Sequence, residues 1–565
     1  MSPVVLVPLL PLLASLIVLV GDEGSRNLRA KIAAFPIYAT FLGAIATLWL
    51  VATEGPITIR FYDPASLATL AFPIGFYIDR LSAVMMVLIA GVGTVIFTYS
   101  IGHMYQDLHD RRFLALIGLT ISVLLCMVSS VNLMMLFLVW QVISCLLYLL
   151  AHNHSHEATR KGAVRTFTLL RVGDVAFLSG IVLAYQLYGT LEFQPLFAKA
   201  AAPIMLSPWP GIEVSGTTVI ALLLFIGAMS KSAQFPLFIW LPGYLYAPTP
   251  ATALLHAGII NAGGFLINRL APLFGLSPTT LHVALVVGAL TAILGATMML
   301  VQNDIKNTLG FSTIGQMGYM IMECGLGAFS LAVFHLIAHG LFKATMFLNS
   351  GNVIHKARQE PAFPHADPHA EEQEFSRLTW FTGFATTLLI PLLILLVTHG
   401  VLHIPLLESQ GTVIFLFFIW VTSSQAILTL IRLRAVASWK VSVAMLLILL
   451  FVVFVYLFAV ESFTAFLYPN PGEVAAYFHA AALPNWLFDG LIGGTALVII
   501  FGWFYIYAQA HGQTMWVPSL AEGLRLRLYV LFMNRLYADE CYQILGRAVM
   551  RVAYRIDKRV ARWSE

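Results

Sequence analysis

Thr280–Val301 reads TLHVALVVGALTAILGATMMLV, an apolar run without one charged side chain. Its length matches the roughly 20 residues that a helix needs to cross about 30 Å of hydrocarbon. Runs of the same kind recur outward from it. Thr217–Met229, Leu81–Phe97 and Val4–Val20 lie toward the N-terminus, and Val413–Ile431 and Val441–Val460 toward the C-terminus. Lipid offers backbone groups no hydrogen-bond partner, so each run is read as a helix. Of the 565 residues 59% are hydrophobic and 10% charged, where a soluble chain carries about a quarter charged. The expected fold is therefore an all-α polytopic membrane protein of about fifteen transmembrane helices. Val4–Val20 lacks a basic flank and a small-residue cleavage site, so it reads as a retained helix, not a signal peptide.

The net charge of +4 gains meaning only when placed by side. Sorted by alternating loops, one side receives Arg26, Arg29, Lys31, Arg111, Arg112, Arg160, Lys161, Lys306, Lys356, Arg358, Arg377, Arg432, Arg434, Lys440 and a basic tail. The other receives Arg60, Arg80, Lys199 and Arg269. The positive-inside rule makes the rich side cytoplasmic, with the N-terminus outside and the C-terminus inside.

Cys126, Cys145, Cys324 and Cys541 are scattered without a CxxC, which argues against iron–sulfur ligation and a disulfide framework. No G-x-G-x-x-G or Walker loop supports a nucleotide or flavin site. Gly189–Gly216 reads as a long outside loop and Asn352–Arg377, rich in Pro, His and acid, as a cytoplasmic linker. Within the tail 513–565, Leu524–Met533 and Cys541–Val560 read as amphipathic helices, fit for membrane-surface anchoring or for docking a partner subunit. Pro236 and Pro391 each interrupt an apolar span, and paired interruptions in two halves point to inverted repeats with a midplane site. The chain divides accordingly into N-terminal helices 1–110, a first repeat 111–275, a second repeat 276–435, C-terminal helices 436–512 and the tail.

Charges inside spans cost roughly 2.5–3.5 kcal/mol each on insertion scales, so each needs a reason. Arg171 and Asp174 stand three apart on one helix face. Lys231 lies five residues before Pro236, beside freed backbone groups. Burial favours its neutral form and a nearby Asp174 its charged form, a balance suited to loading and releasing a proton; a static Lys231–Asp174 pair is the alternative. His256 follows one helix later, and His335, His339 and Lys343 recur every fourth residue on one face, as a relay into the interior would. Asp304 and Lys306 mark a cytoplasmic helix boundary, as an exit gate or a structural ion pair. His152, His154 and His156, and likewise His365 and His369, lack further ligands for zinc, so no metal site is expected in this chain.

GFYIDRLS (Gly75–Ser82), NLMMLFLVWQVISCLLYLL (Asn132–Leu150), RVGDVAFL (Arg171–Leu178), the Lys231–Gly258 run beginning KSAQFPLF, DIKNTLGFSTIGQMGYM (Asp304–Met320) and HLIAHGLFKA (His335–Ala344) together carry a resemblance. They are similar to the antiporter-like subunits of respiratory complex I and of Mrp antiporters, over roughly Gly75–His355. That resemblance implies inverted five-helix repeats and a proton path along a central hydrophilic axis. Lys231 would be its central lysine, modulated by Arg171 and Asp174 and continued by His256, His335, His339 and Lys343. The chain departs from the complex I type at Gln141, where a glutamate is usual, and at Gly243 and Tyr246, where two acids are lost. Around Pro391 there is no lysine; Thr386 lies five residues before it, and His399 is the nearest substitute. HAGIINAGGFLINR (His256–Arg269) and the Met322–Ala344 run look most like the DabB family, membrane subunits of two-component inorganic-carbon accumulation systems. This implies a proton- or sodium-conducting subunit in a bacterial inner membrane, with no enzyme activity of its own. Its implied partner is a cytoplasmic DabA-like protein, similar to β-carbonic anhydrases, that carries the zinc and hydrates CO2 to bicarbonate. A proton-pumping subunit of complex I or a membrane hydrogenase, and a non-conducting scaffold, are the rival readings.

Overall fold

The computed structural model describes residues 3–359 and 461–564, apart from short gaps at 21–25, 63–71, 105–108, 153–156, 203, 210, 246 and 511–518, together with five single positions between 447 and 458. Pro391, Thr386, His399, His154, His156, His365, His369 and Tyr246 lie outside the described residues.

The chain opens with α1 (Leu6–Val20) and α2 (Arg26–Glu54), followed by a hairpin of β1 (Ile57–Tyr62) and β2 (Ile74–Ile78). Then come α3 (Arg80–His103), α4 (Asp110–Val128), α5 (Leu133–Ala151) and α6 (Glu157–Tyr188). Polar residues start these helices where apolar ones could not: Asp79 accepts from the Ser82 amide at 2.9 Å and Asn132 from the Met135 amide at 2.8 Å. Gly189–Gly216 is more ordered than a plain loop. It holds the short helix α7 (Phe193–Ala200) and a second hairpin, β3 (Met205–Trp209) with β4 (Ile212–Ser215). Phe193, Leu196 and Ala200 recur at helical spacing and are buried, which is why this segment folds back onto the bundle.

Helix α8 (Gly216–Lys231) stops at Lys231, and α9 (Trp240–Tyr244) resumes beyond Pro236. The backbone groups freed by the break find partners. Trp240 Nε1 donates to the Ser230 carbonyl at 2.9 Å, Ser232 Oγ to the Ile260 carbonyl at 2.7 Å, and the Phe235 amide to Thr291 Oγ1 at 3.0 Å. Irregular backbone at this depth is tolerated because protein, not lipid, surrounds it. A second interruption, which the sequence reading lacked, follows in α10 (Thr249–Leu254), a π-helical turn at Leu255–Ile259 and α11 (Ala262–Arg269). The short α12 (Ala271–Gly275) leads to α13 (Pro278–Leu300), α14 (Ile305–Gly325) and α15 (Phe329–Gln359). The linker expected from Asn352 therefore starts later: NVIHKARQ has no helix breaker before Pro361, and α15 continues through it. Further helices cover Pro471–Ala481, Asn485–Ala510, Ser519–Met533 and Ala538–Ser564.

Among the described residues nine helices are long and apolar enough to cross a membrane. Their exposed side chains are themselves apolar, as at Trp49, Val175, Ile293 and Leu300, the arrangement that lipid contact requires. Loops assigned to the basic-poor side meet at one end of the bundle: Phe76 bridges Ser130, Asn132 bridges Glu192, and Arg60 pairs with Glu192 at 2.7 Å. At the other end the tail packs on the chain's own core. Asp539 pairs with Arg165, Tyr542 Oη donates to the Pro236 carbonyl at 3.0 Å, and Arg535 covers the Phe311 ring.

Helices α13 and α14 touch backbone to backbone. A Cβ on Gly295 would lie 2.4 Å from the Gly315 amide nitrogen, and one on Gly318 2.4 Å from that of Ala292. Small residues allow this approach, and van der Waals contact then holds the helices together where lipid supplies no hydrophobic drive. Gly318→Leu is expected to lower stability by about 1–3 kcal/mol through overpacking. Thermal unfolding in mild detergent checks this, and an unchanged midpoint would rule it out.

Candidate functional site: a buried titratable track

Lys231 ends α8 with a side chain only 1% exposed. Its Nζ donates to Ser144 Oγ at 2.7 Å and to the Trp140 carbonyl at 3.3 Å, and it stands 4.9 Å from the centre of the Trp140 ring. Trp140 and Ser144 lie one turn apart on α5, so a single helix supplies every contact. The static Lys231–Asp174 pair, the alternative reading, is not formed. Instead Asp174 Oδ1 accepts from Trp140 Nε1 at 2.9 Å, and Oδ2 lies 2.8 Å from an Arg171 guanidinium nitrogen. The indole thus stands between the lysine and the carboxylate. Arg171 also donates to Gln141 Oε1 and stacks over the Phe167 ring. Gln141 therefore gives Arg171 a neutral partner and leaves its charge to Asp174 alone. Lost acid at Gly243 goes with a tight crossing of α6 and α9, where a Cβ on the facing Gly162 would meet the Gly243 carbonyl at 2.2 Å.

His256 sits inside the π-helical turn, fully buried. Its ring stacks on Phe347 of α15 with centroids 4.2 Å apart, and among the described residues neither ring nitrogen has a hydrogen-bond partner. The turn is tied to the break after Lys231 by the Ser232–Ile260 hydrogen bond. Such turns mark functional sites often enough to be noted.

Along α15 the four-residue spacing holds, and the stripe faces α14. His335 Nδ1 is 3.1 Å from Glu323 Oε2, and its Nε2 is 2.9 Å from Gln316 Oε1. His339, one turn on, lies 6.4 Å from the His335 ring and is buried, with both nitrogens unpartnered among the described residues. Lys343 Nζ donates to Ser312 Oγ at 2.8 Å and to the Leu309 carbonyl at 3.4 Å. Glu323, Gln316, Ser312, Ser144 and Trp140 were not singled out from the sequence. Glu323 stands two residues before the glycine that ends its helix, where an acid usually reads as a surface residue.

Among the described residues, Asp304 and Lys306 form no hydrogen bond with the track and no ion pair with each other. Asp304 caps α14, accepting from the Asn307 amide at 2.9 Å, and Lys306 Nζ donates to the Ala247 carbonyl at 3.4 Å. A capping side chain is already engaged by its helix, so the pair is better placed to hold the α13–α14 turn than to gate an exit. His152 packs its ring at a tilt against Tyr148, centroids 5.1 Å apart, and among the described residues no His, Cys, Asp and Glu group could hold a metal ion.

Two interrupted helices, a buried lysine and a histidine–lysine stripe form the kind of axis that ion-translocating membrane proteins build. The family model for the transmembrane part of NADH:quinone oxidoreductase and Mrp antiporters matches residues 130–423, more than half of the chain. A second, for the N-terminus of complex I chain 5, matches residues 65–114. The inorganic carbon transporter subunit DabB1 of Halothiobacillus neapolitanus, itself described as probable, is 38% identical over 563 residues, 98% of either chain. The chain belongs to the NADH:quinone oxidoreductase/Mrp antiporter family, on its DabB branch. Within that family, NADH-quinone oxidoreductase subunit L of Neisseria meningitidis is 35% identical over 396 residues, 68% of this chain but 58% of that one. The fold agrees with the Mrp complex from Dietzia sp. DQ12-45-1b at a TM-score of 0.58 and 21% identity, covering 97% of this chain and 60% of that one. Members of this antiporter-like family are membrane transport subunits, and the chain is a multi-pass membrane subunit of that cation-translocating type.

Proposed function

We propose that the chain is the proton- or sodium-conducting membrane subunit of an inorganic-carbon accumulation system. In this reading the cation pathway comprises Lys231, His256, His335, His339 and Lys343, with Arg171 and Asp174 setting the charge around the lysine. Its downhill flow energises CO2 hydration in a cytoplasmic DabA-like partner, similar to β-carbonic anhydrases, which carries the catalytic zinc. The N-terminus then faces outside a bacterial inner membrane and the basic tail faces the cytoplasm. The observation that carries this reading is the match to a DabB subunit over 98% of both chains, against 58% of the respiratory subunit. The buried track supports conduction over a scaffold role, since ionisable groups inside a membrane are costly and are kept mainly on ion pathways.

Purification of the tagged chain in mild detergent, with mass spectrometry of what accompanies it, tests the partner. A soluble zinc protein resembling carbonic anhydrase is expected. Iron–sulfur or flavin subunits in its place would make the chain part of a redox-driven pump. Ion flux into liposomes holding the purified complex, followed separately for protons and sodium, tests conduction; no flux of either would leave only a scaffold.

A further inference from the structure

At the end of the bundle opposite the tail lies a cavity of about 330 Å³, lined among others by Asp79, Arg269, Asn268, Tyr468, Glu473 and Tyr477. Its inner wall leads toward the track. Asn268 is 3% exposed, its Nδ2 is 3.6 Å from Cys324 Sγ, and its Oδ1 is buried without a partner among the described residues. The residue next to Cys324 is Glu323, 5% exposed. Among the described residues its ion-pair partner is His335, a group charged only when protonated. Its partner is thus a group that can itself release a proton, whereas the less buried Asp79 at the cavity wall is met by the permanent cation Arg269.

The hydrogen-bond chemistry of His335 sharpens the point. A neutral imidazole has one donor and one acceptor, whereas both ring nitrogens here face oxygen: a Glu323 carboxylate and the Gln316 amide carbonyl. Both contacts are satisfied when His335 is an imidazolium. If the proton leaves Nε2, the Gln316 amide must turn to present its NH2. If it leaves Nδ1, Glu323 must carry it. Every protonation state thus has a hydrogen-bonded arrangement reachable by one proton shift or one amide rotation. The other ionisable groups near the dyad are Tyr319, ring to ring with His335 at 5.6 Å, His339, and Cys324 beside Glu323.

We propose that Glu323 and His335 form a proton-holding dyad at the outer end of the track, loaded through the Asn268 wall from this cavity and emptied onto His339. A proton from cavity water binds the dyad, and an equal proton leaves to the free imidazole lone pair of His339; no electrons move. The inference rests on the conducting role proposed above. It restores to this chain, at a different place, an acid of the kind missing at Gln141.

The test uses the purified full complex in liposomes, with an entrapped pH dye reading proton uptake after acidification of the outer face. Glu323→Gln is expected to slow uptake by at least about tenfold, and Glu323→Asp to recover most of it, since a carboxylate and not its shape is required. Lys231→Ala is run beside it. Wild-type uptake in Glu323→Gln with loss in Lys231→Ala would overturn the dyad and leave the conducting role intact. Wild-type uptake in Lys231→Ala would overturn the conducting role of that lysine, and Glu323→Gln would still decide the dyad. Should Glu323→Gln not assemble, Gln194→Cys in the cavity wall decides the port. A membrane-impermeant cationic thiol reagent added outside should block that variant and spare the parent; unblocked flux would overturn the cavity as the entry.

Discussion

Replacement of Lys231 by alanine is expected to reduce cation flux by about a hundredfold or more, the low end of what a positioned proton-transfer group contributes. Growth that depends on carbon accumulation at ambient CO2 should fail with it. The environment of Lys231 suits both of its charge states. As an ammonium it has two hydrogen-bond acceptors, Ser144 Oγ and the Trp140 carbonyl, and the electron-rich face of the Trp140 ring. As an amine it needs one donor, and the Ser144 hydroxyl can turn to supply it. The variant should still fold, because Asp174 does not depend on the lysine: Arg171 and Trp140 hold both of its oxygens. Lys231→Arg separates the two explanations of a silent alanine variant. Arginine keeps the charge but does not release its proton, so it should assemble and remain silent. Flux measured in liposomes at matched protein amounts decides the matter, and wild-type flux in Lys231→Ala would sink the assignment.

The contacts around Lys231 are of a kind that sequence pattern alone does not reveal. The break beside Lys231 was legible because Pro236 stands in an apolar run, and the stripe of His335, His339 and Lys343 because a four-residue spacing survives in any straight helix. The transmembrane class was equally plain, since apolar runs of span length have few other uses. What escaped was everything set by packing between helices. Trp140 separates Lys231 from Asp174, yet in sequence it is one more aromatic residue in an apolar span. The π-helical turn at His256 has no proline to announce it. Glu323 becomes a partner of His335 only when α14 and α15 lie side by side, twelve residues apart in the chain. The helix and hairpin in Gly189–Gly216 likewise depend on the surface they cover.

Arg269→Ala is expected to lower the stability of the purified protein by about 3–5 kcal/mol, the usual cost of stranding one member of a buried pair. The Arg269 side chain is 4% exposed and holds Asp79 through two nitrogens at 2.6 and 3.1 Å. It also donates to Ser82 Oγ, and three rings, Tyr77, Phe193 and Phe265, surround its guanidinium at 5.4 to 5.6 Å. One side chain therefore joins the end of α11 to the start of α3 with the neighbouring strand β2, and to α7, three stretches distant in sequence. Lysine in its place keeps the charge but loses the two-pronged grip and the ring stacking, so Arg269→Lys should recover only part of the loss. The pH dependence follows from Asp79. Burial pushes its carboxyl upward, but the charge of Arg269 and the hydrogen bonds from Arg269 and Ser82 together outweigh this and hold it below the ordinary carboxylate value. A carboxyl lowered in the folded state contributes stability that is fully present above its unfolded pKa and is lost as pH falls through the folded one. The wild-type advantage over Arg269→Ala should accordingly be largest near neutral pH and shrink on acidification, first as the stranded Asp79 of the variant takes up a proton and then, in strong acid, as the wild-type carboxyl does. Thermal unfolding of both proteins in mild detergent across that range measures it. A gap that is absent at neutral pH, or that widens as the medium is acidified, would contradict this account of the Asp79–Arg269 pair.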